Sequence, residues 1–473
     1  MSKKKTRRRS AWREVWSEFL RSPRGVFGLV LFLIFLFIGL AAPWLTPYDP
    51  VTDRSLAAAM ARPAWMRLFP KYKDAPVTVD VFLLRNWHVA ERENVEIDWR
   101  EREGADVMVI TSTGEGGGRL VLEHKFEYDA GAPDVFILEL PYAFSGGAGV
   151  TGQARITLET PAGDTYRLFE SRVLRNEQRW TVQRVDSRDL QLKMRLGFQP
   201  FANVAKELFG ERGEYRLVAE FEMTGASEAG TATFTVGESR FRIPGQLHGL
   251  LGTDHLGADL WSQFVYGTRT SLLIGFIVAI IAVFVGTLVG IVSGYLGGWV
   301  DELLMRIVDV MISIPFLPIM IVVVAIVGQS IEALVFLVAI FSWMSVARLV
   351  RSQTLTLRER TFVEAARAAG ARPGYIMRAH ILPNVLGLVF ASLVLLIPSA
   401  ILTEATMSFL GFGDPTVPTW GRMLQNAKSF GAFTALAWWW ILPPGLALTL
   451  LALAFVFMGN TLDDILNRRN GER

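Results

Sequence analysis

The chain has 473 residues, 51% of them hydrophobic, with a formal net charge of +3 and a mean hydropathy of +0.32. That length allows two or three domains, the composition is too apolar for an ordinary soluble protein, and so small a charge gives no basic field to gather nucleic acid. With no cysteine and five scattered histidines, disulfide frameworks and thiolate metal sites are excluded, and a His-rich metal centre is not expected.

Residues 1–24 carry nine Lys/Arg, among them the run Lys3-Lys4-Lys5-Thr6-Arg7-Arg8-Arg9, and read as a basic amphipathic segment. The first apolar stretch follows at 25–42. It is expected to stay as an anchor, because amphipathic sequence separates it from the basic run and Pro43 disfavours cleavage after Ala41-Ala42. Five more stretches have the length and apolarity of a bilayer span, about 17–25 residues. They lie near Leu272–Leu296, Val308–Val327, Ala333–Ala347, Leu386–Leu402 and Trp438–Met458. The positive-inside rule puts the N-terminus in the cytoplasm, together with the segment holding Arg348, Arg351, Arg358, Arg360, Arg367, Arg372 and Arg378. The tail 461–473, with Arg468 and Arg469, falls on the same side.

Residues 64–246 differ from their flanks. Polar and rich in turns, they hold runs of two-residue alternation or β-branched bias at Val77–Leu84, Asp106–Ser112, Arg119–Phe126, Asp134–Leu140, Ala154–Leu158, Tyr215–Phe221 and Thr231–Val236. Glycine-rich turns at 114–118 and 145–149 and Pro161-Ala162-Gly163-Asp164 separate them. Short strands at this spacing predict an all-β, sandwich-like domain, interrupted by a short helix near Phe201–Phe209. The topology puts it outside the cell membrane. No metal-ligand set and no nucleophile motif occurs in it, and its acidic residues read as a solvated face.

Between the fourth and fifth spans, Glu359–Ala369 is rich in alanine, glutamate and arginine and predicts a helix. Gly370 can take the left-handed conformation that ends it, and Pro373 suits the first turn of a second helix. Small residues such as Ala365 and Ala366 let a partner's surface approach the backbone closely. Glu364 offers a charge to that partner, or to Arg360 or Arg367 on its own helix.

Glu364-Ala365-Ala366-Arg367-Ala368-Ala369-Gly370, followed by Leu382-Pro383, resembles the EAA motif E-A-A-x3-G-x9-I-x-L-P of ABC-importer permeases, with His380 at the usual isoleucine position. The stretch from Trp12-Arg13-Glu14 to Pro47-Tyr48-Asp49-Pro50 is similar to the start of the dipeptide/oligopeptide/nickel family. Leu251-Gly252-Thr253-Asp254-His255-Leu256-Gly257 and Thr403-Glu404-Ala405-Thr406-Met407-Ser408-Phe409-Leu410-Gly411 continue that likeness. The chain departs from the family at Ala258, where arginine is usual, and in the whole domain that precedes Leu251.

The resemblance implies a type I ABC-importer permease fold of six transmembrane helices, with a permease domain at 247–460 and a cytoplasmic coupling loop at 348–384. It implies that Glu364, Ala365, Ala366, Gly370, Leu382 and Pro383 meet an ATPase. It implies a second homologous permease, two ATPase subunits carrying ATP and Mg, and an extracytoplasmic binding protein, in a bacterial or archaeal inner membrane. The chain itself has no G-x-x-x-x-G-K-[ST] phosphate loop, so no cofactor or catalytic residue is expected in it, and it would not be an enzyme. A membrane-anchored sensor would need only one or two anchors and no such loop. A secondary transporter would need broken helices or ionisable groups in paired halves. Glu332 and Glu404 read as solvated helix termini, Trp438-Trp439-Trp440 as an interfacial belt, and His248 and His255 as loop residues.

Overall fold

The structure, a computed structural model, describes residues 16–471 apart from Glu103, 114–116, Ala148, 176–178 and 226–231. The basic run Lys3–Arg9, the stretch Trp12–Glu14, the turn residues 114–116, Thr231 and the side chains of Arg468 and Arg469 lie outside the described residues. The chain divides into two compact units. One comprises the chain up to Asp53 and from Leu260 on, and the other spans Arg54–Asp259.

The first unit is helical. Helix α1 (Pro23–Leu40) opens on Ser22, whose side chain accepts from the Gly25 N–H, and on a proline that needs no hydrogen bond at the first position. There follow α2 (Leu260–Leu296), α3 (Gly298–Ser313), α4 (Phe316–Val327), α5 (Ile331–Arg358), α6 (Thr361–Ala368), α7 (Leu382–Phe409), α8 (Trp420–Ser429) and α9 (Trp438–Gly471). Among the described residues five helical stretches are long and apolar enough to cross a bilayer, and α3 with α4 supplies a sixth if that pair is one span. The span expected at Val308–Val327 is therefore corrected to two helices bent by 79°. Pro315 causes the break. It lacks an N–H and pushes Ile314 out of the helical region, to φ −74 and ψ 122.

Two further expectations fail in this unit. Glu404 is not a solvated terminus, because α8 folds over the end of α7 and leaves it fully buried. Nor do all three tryptophans form an interfacial belt. Trp438 is half exposed, but Trp439 and Trp440 are buried within the protein. Glu332 does lie exposed at the start of α5, beside the Ser330 cap.

The second unit is β-rich. Its strands are β1 (Arg62–Pro63), β2 (Val79–Phe82), β3 (His88–Glu93), β4 (Val95–Arg102), β5 (Ala105–Ser112), β6 (Gly117–Tyr128) and β7 (Ile137–Ser145). The rest are β8 (Thr151–Glu159), β9 (Thr165–Glu170), β10 (Thr181–Asp186), β11 (Gly213–Thr224), β12 (Thr233–Val236), β13 (Arg240–Ile243) and β14 (Leu247–His248). One sheet runs β2-β13-β7-β12-β5-β4 with β10 on the side of β7, and the other runs β3-β6-β11-β8-β9. Strands such as β8 and β11 alternate buried and half-buried residues, so each sheet turns one face inward.

The shared core holds Phe126, Phe136, Tyr215, Phe221, Phe234 and Phe241. A short helix at Val204–Leu208, within the 201–209 stretch, brings Phe209 onto Tyr215 at 4.8 Å between ring centres. The unit's edges run beyond 64–246 because Arg62–Pro63 pair in parallel with Leu247–His248. His248 and His255 are not plain loop residues, since both are largely buried and face Asp259 and Asp254 at 3.5 and 4.0 Å.

Candidate functional site

The site is built from the end of α5, the loop that follows, and the helices under it. α5 stops at Glu359. Arg360 is extended at φ −81 and ψ 142, and α6 begins at Thr361. Gly370 takes φ +79. Its N–H reaches the Arg367 carbonyl at 3.0 Å, and the Ala371 N–H reaches the Ala366 carbonyl at 3.1 Å. This pair of bonds is the Schellman ending, which needs a residue tolerant of positive φ. Pro373 then starts a short helix, Pro373–Ile376.

That second helix does not end in a loop. It passes through a π-helical stretch, Met377–Ile381, directly into α7, with the Leu382 N–H bonded to the Met377 carbonyl five residues back. Pro383 explains the widened turn. Its ring cannot sit against the carbonyl four residues earlier, so the helix opens just before it.

Underneath, Val363, Ile376, Ile381 and Val385 are fully buried against Ile291, Tyr295, Val346 and Val350 of α2 and α5, with Ala366 and Leu382 packed at the edge. Outward, Glu364, Ala365 and Gly370 are exposed, and Pro383 is half-buried. The loop is thus a hairpin locked to the helix ends by one apolar face, with the Glu364–Gly370 face open. Two rings missed in the sequence, Phe362 and Tyr375, lie there beside His380. His380 lies 6.2 Å from Phe362 and 5.9 Å from Tyr375, both of them exposed.

Other parts of the site were also missed. Gly286, Gly290 and Gly294 lie on the α2 face against α5. A Cβ on each would come within 2.6, 2.6 and 2.8 Å of the carbonyl oxygens of Trp343, Ala347 and Arg351, so only glycine allows this approach. Glycine at every fourth residue was a signal available in the sequence. Two ion pairs clasp α3 to α5. Arg351 holds Asp301 through two bonds of 2.5 and 2.6 Å, and Arg348 holds Asp309. Each bond is charge-assisted.

At the α3–α4 bend lies a cavity of about 500 Å³. Pro315 and Phe316 form one wall, and Ser342 and Ser345 of α5 with Ser399 and Thr403 of α7 bring hydroxyls to the others. Next to Thr403 along α7, Glu404 accepts from the Ser408 hydroxyl at 2.7 Å. α8 packs closely there, since a Cβ on Gly421 would fall 2.6 Å from Ala405. The Trp420 indole donates to the Phe264 carbonyl at 3.2 Å. Among the described residues no group of His, Asp and Glu has the geometry of a metal site.

Residues 286–472 match the family described as the binding-protein-dependent transport system inner membrane component, and residues 10–63 match the N-terminal TM domain of oligopeptide transport permease C. A Brucella suis protein bearing the name of a peptide transport system permease is 37% identical over 231 residues, 49% of this chain and 76% of the relative. The dipeptide transport system permease protein DppC of Alkalihalophilus pseudofirmus is 39% identical over 46% of this chain and 70% of its own length. The glutathione transport system permease protein GsiD of Pectobacterium atrosepticum is 40% identical, over 46% and 71%.

Proposed function

Because this chain belongs to the dipeptide/oligopeptide family of binding-protein-dependent ABC-importer permeases, we propose that it forms, with a second homologous permease, the path by which peptides or a related small solute enter the cell. ATP hydrolysis in two partner subunits drives the cycle, and an extracytoplasmic binding protein delivers the solute. The chain lies in the inner membrane with both termini and the loop 348–384 in the cytoplasm, as the distribution of arginines and lysines supports. It binds no nucleotide itself.

One observation carries this reading: the hairpin at 361–381 is exposed on its Glu364–Gly370 face and packed by its other face onto the ends of α2, α5 and α7. A push on that face has no slack to absorb it, because the π-helical stretch joins the hairpin to α7 without a loop. Glu364, Ala365, Ala366 and Gly370 form the contact with the ATPase, and Leu382 and Pro383 transmit its motion into α7. The rings of Phe362, Tyr375 and His380 add apolar area that association removes from water. The hydroxyl-lined cavity at the α3–α4 bend belongs to the path, since polar groups at membrane depth face a water-filled route rather than lipid.

The test is co-purification. The tagged chain, expressed with its partner permease and ATPases, is compared with Glu364→Arg and Gly370→Pro. The native chain should bring down the ATPases, and both variants should lose them by roughly tenfold or more, the effect of removing 1.4 kcal/mol from a contact. No ATPase on the native chain with its partner permease present removes the proposal.

A further inference from the structure

The β-rich unit carries a site that the permease role does not use. Cross-strand register on the seven-stranded sheet sets Arg184 of β10, Glu139 of β7 and Arg240 of β13 in one row. The next row holds Asp186, Ile137, Arg242 and, across β2, Asp80. The residues between them, Val81, Leu138, Val185 and Phe241, are buried in the core. Side chains alternate along a strand, so both arginine rows point to the opposite face. The backbone at Ser55 crosses over the second row and accepts a hydrogen bond from the Arg242 guanidinium.

Between these parts lies a cleft of about 160 Å³, lined by Arg54, Arg184, Arg240, Arg242, Glu139 and Ile137 beside Ser55. That is the share of liquid volume of about five waters, at about 30 Å³ each. The side chains of Arg54, Arg184, Arg240 and Arg242 border it together with the Glu139 carboxylate. Asp80 lies behind and occupies the fork of both Arg240, whose Nε reaches it at 2.6 Å alongside Nη2, and Arg242, whose Nε and Nη2 reach it at 3.2 and 2.6 Å. Glu139 meets Arg184 only at 3.6 Å. The Arg242 side chain is 9% exposed, and Arg240 lies over the Phe82 ring at 4.8 Å, so both guanidiniums are held in place on Asp80 before anything binds, with their remaining Nη–H groups left for the cleft. Each such N–H makes a charge-assisted bond to a carboxylate oxygen. Ile137 provides an apolar wall for the carbon that bears it.

We propose that this cleft binds a carboxylate group, supplied either by a peptide's C-terminus or by a small free organic acid. The proposal does not rest on how the membrane unit works. The four arginines together set the affinity, and the apolar wall selects a carbon-borne anion over inorganic phosphate.

The experiment uses the full chain in lipid nanodiscs and isothermal titration with trialanine, trialanine amide, acetate and inorganic phosphate. Trialanine should bind and its amide should not. If acetate binds as tightly as trialanine, the ligand is a free carboxylate; if only trialanine binds, it is the peptide terminus. The exposed pair Arg54→Gln and Arg184→Gln, made together, should weaken binding by about a hundredfold or more, about tenfold for the charge-assisted hydrogen bond lost at each. Arg54→Lys with Arg184→Lys keeps the charge and should lose less. Unchanged circular dichroism of each variant excludes misfolding. Equal binding of trialanine and its amide, tighter binding of phosphate, no binding of any probe, or binding indifferent to the double glutamine variant each overturns the proposal.

Discussion

Glu404 places a carboxylate in the interior of the membrane unit, fully buried, with its Oε1 bonded to the Ser408 hydroxyl one helical turn on. A buried polar group is costly unless bonded, and removing its partner leaves that cost behind. Glu404→Leu strips the Ser408 hydroxyl of this acceptor at the contact with α8, and should lower the stability of the purified chain by about 1–3 kcal/mol. Glu404→Gln keeps an oxygen there and should lose less than half as much. Thermal unfolding in detergent measures both, and equal effects would show that the hydrogen bond is not what matters. The contrast with Gly370 explains what a reader of the sequence can see at this scale. The turn at Gly370 and the helix start at Pro373 obey rules that act within three or four residues, and both were legible. The burial of Glu404 depends on α8, which begins sixteen positions later at Trp420, and no local rule reports it.

Helices and strands show the same division. The glycine stripe of α2 lies against carbonyls of α5 that are themselves spaced four residues apart, Trp343, Ala347 and Arg351. Gly290→Leu would drive a side chain into the Ala347 carbonyl and force the two helices apart, at a cost of about 1–3 kcal/mol or more. Gly445→Leu is the control, because a Cβ there meets nothing within 4 Å. It should stay within about 0.5 kcal/mol of the native chain. Unfolding midpoints of the two variants decide the matter, and similar losses would remove the close-packing account. Strands with clear alternation, such as β8 and β11, were legible because one face is buried. β3 (HVAERE) and β4 (VEIDWRER) were not, since nearly all their residues are exposed. Charges on edge strands protect against pairing with another chain, and the same charges hide the strand from a search for hydrophobic period. The bend at Pro315 fell between these cases. Hydropathy alone runs straight through the proline and reports a single span.

On the scale of the whole molecule, ion pairs among the described residues are more numerous on the β-rich unit than on the membrane unit, so acid should loosen the β-rich unit first. In the membrane unit the ion pairs Arg351–Asp301 and Arg348–Asp309 clasp α3 to α5, and apolar packing holds the other helices. The outer face of the five-stranded sheet carries a charge lattice. Arg155 binds Glu170 at 2.9 Å and Glu220 at 3.4 Å, Arg119 joins Glu220 to Glu91, and Arg216 lies between Glu123 and Glu159. The hydrogen bond from Arg155, helped by Arg167, holds the Glu170 carboxyl below its ordinary 4.5. A carboxylate whose value is depressed on folding stabilises the fold above the ordinary value, and that contribution disappears as the pH falls below 4.5 and through the depressed value. The β-sheet circular dichroism of the full chain should therefore melt at progressively lower temperature below that pH, by about 2–4 °C for each kcal/mol lost in a unit of this size. The helical signal should hold over the same range. Glu170→Gln, which cannot ionise, should start lower at neutral pH and lose less on acidification. A variant whose midpoint falls as steeply as the native chain's would assign the acid sensitivity to other carboxylates and leave the Arg155–Glu170 pair without a part in it.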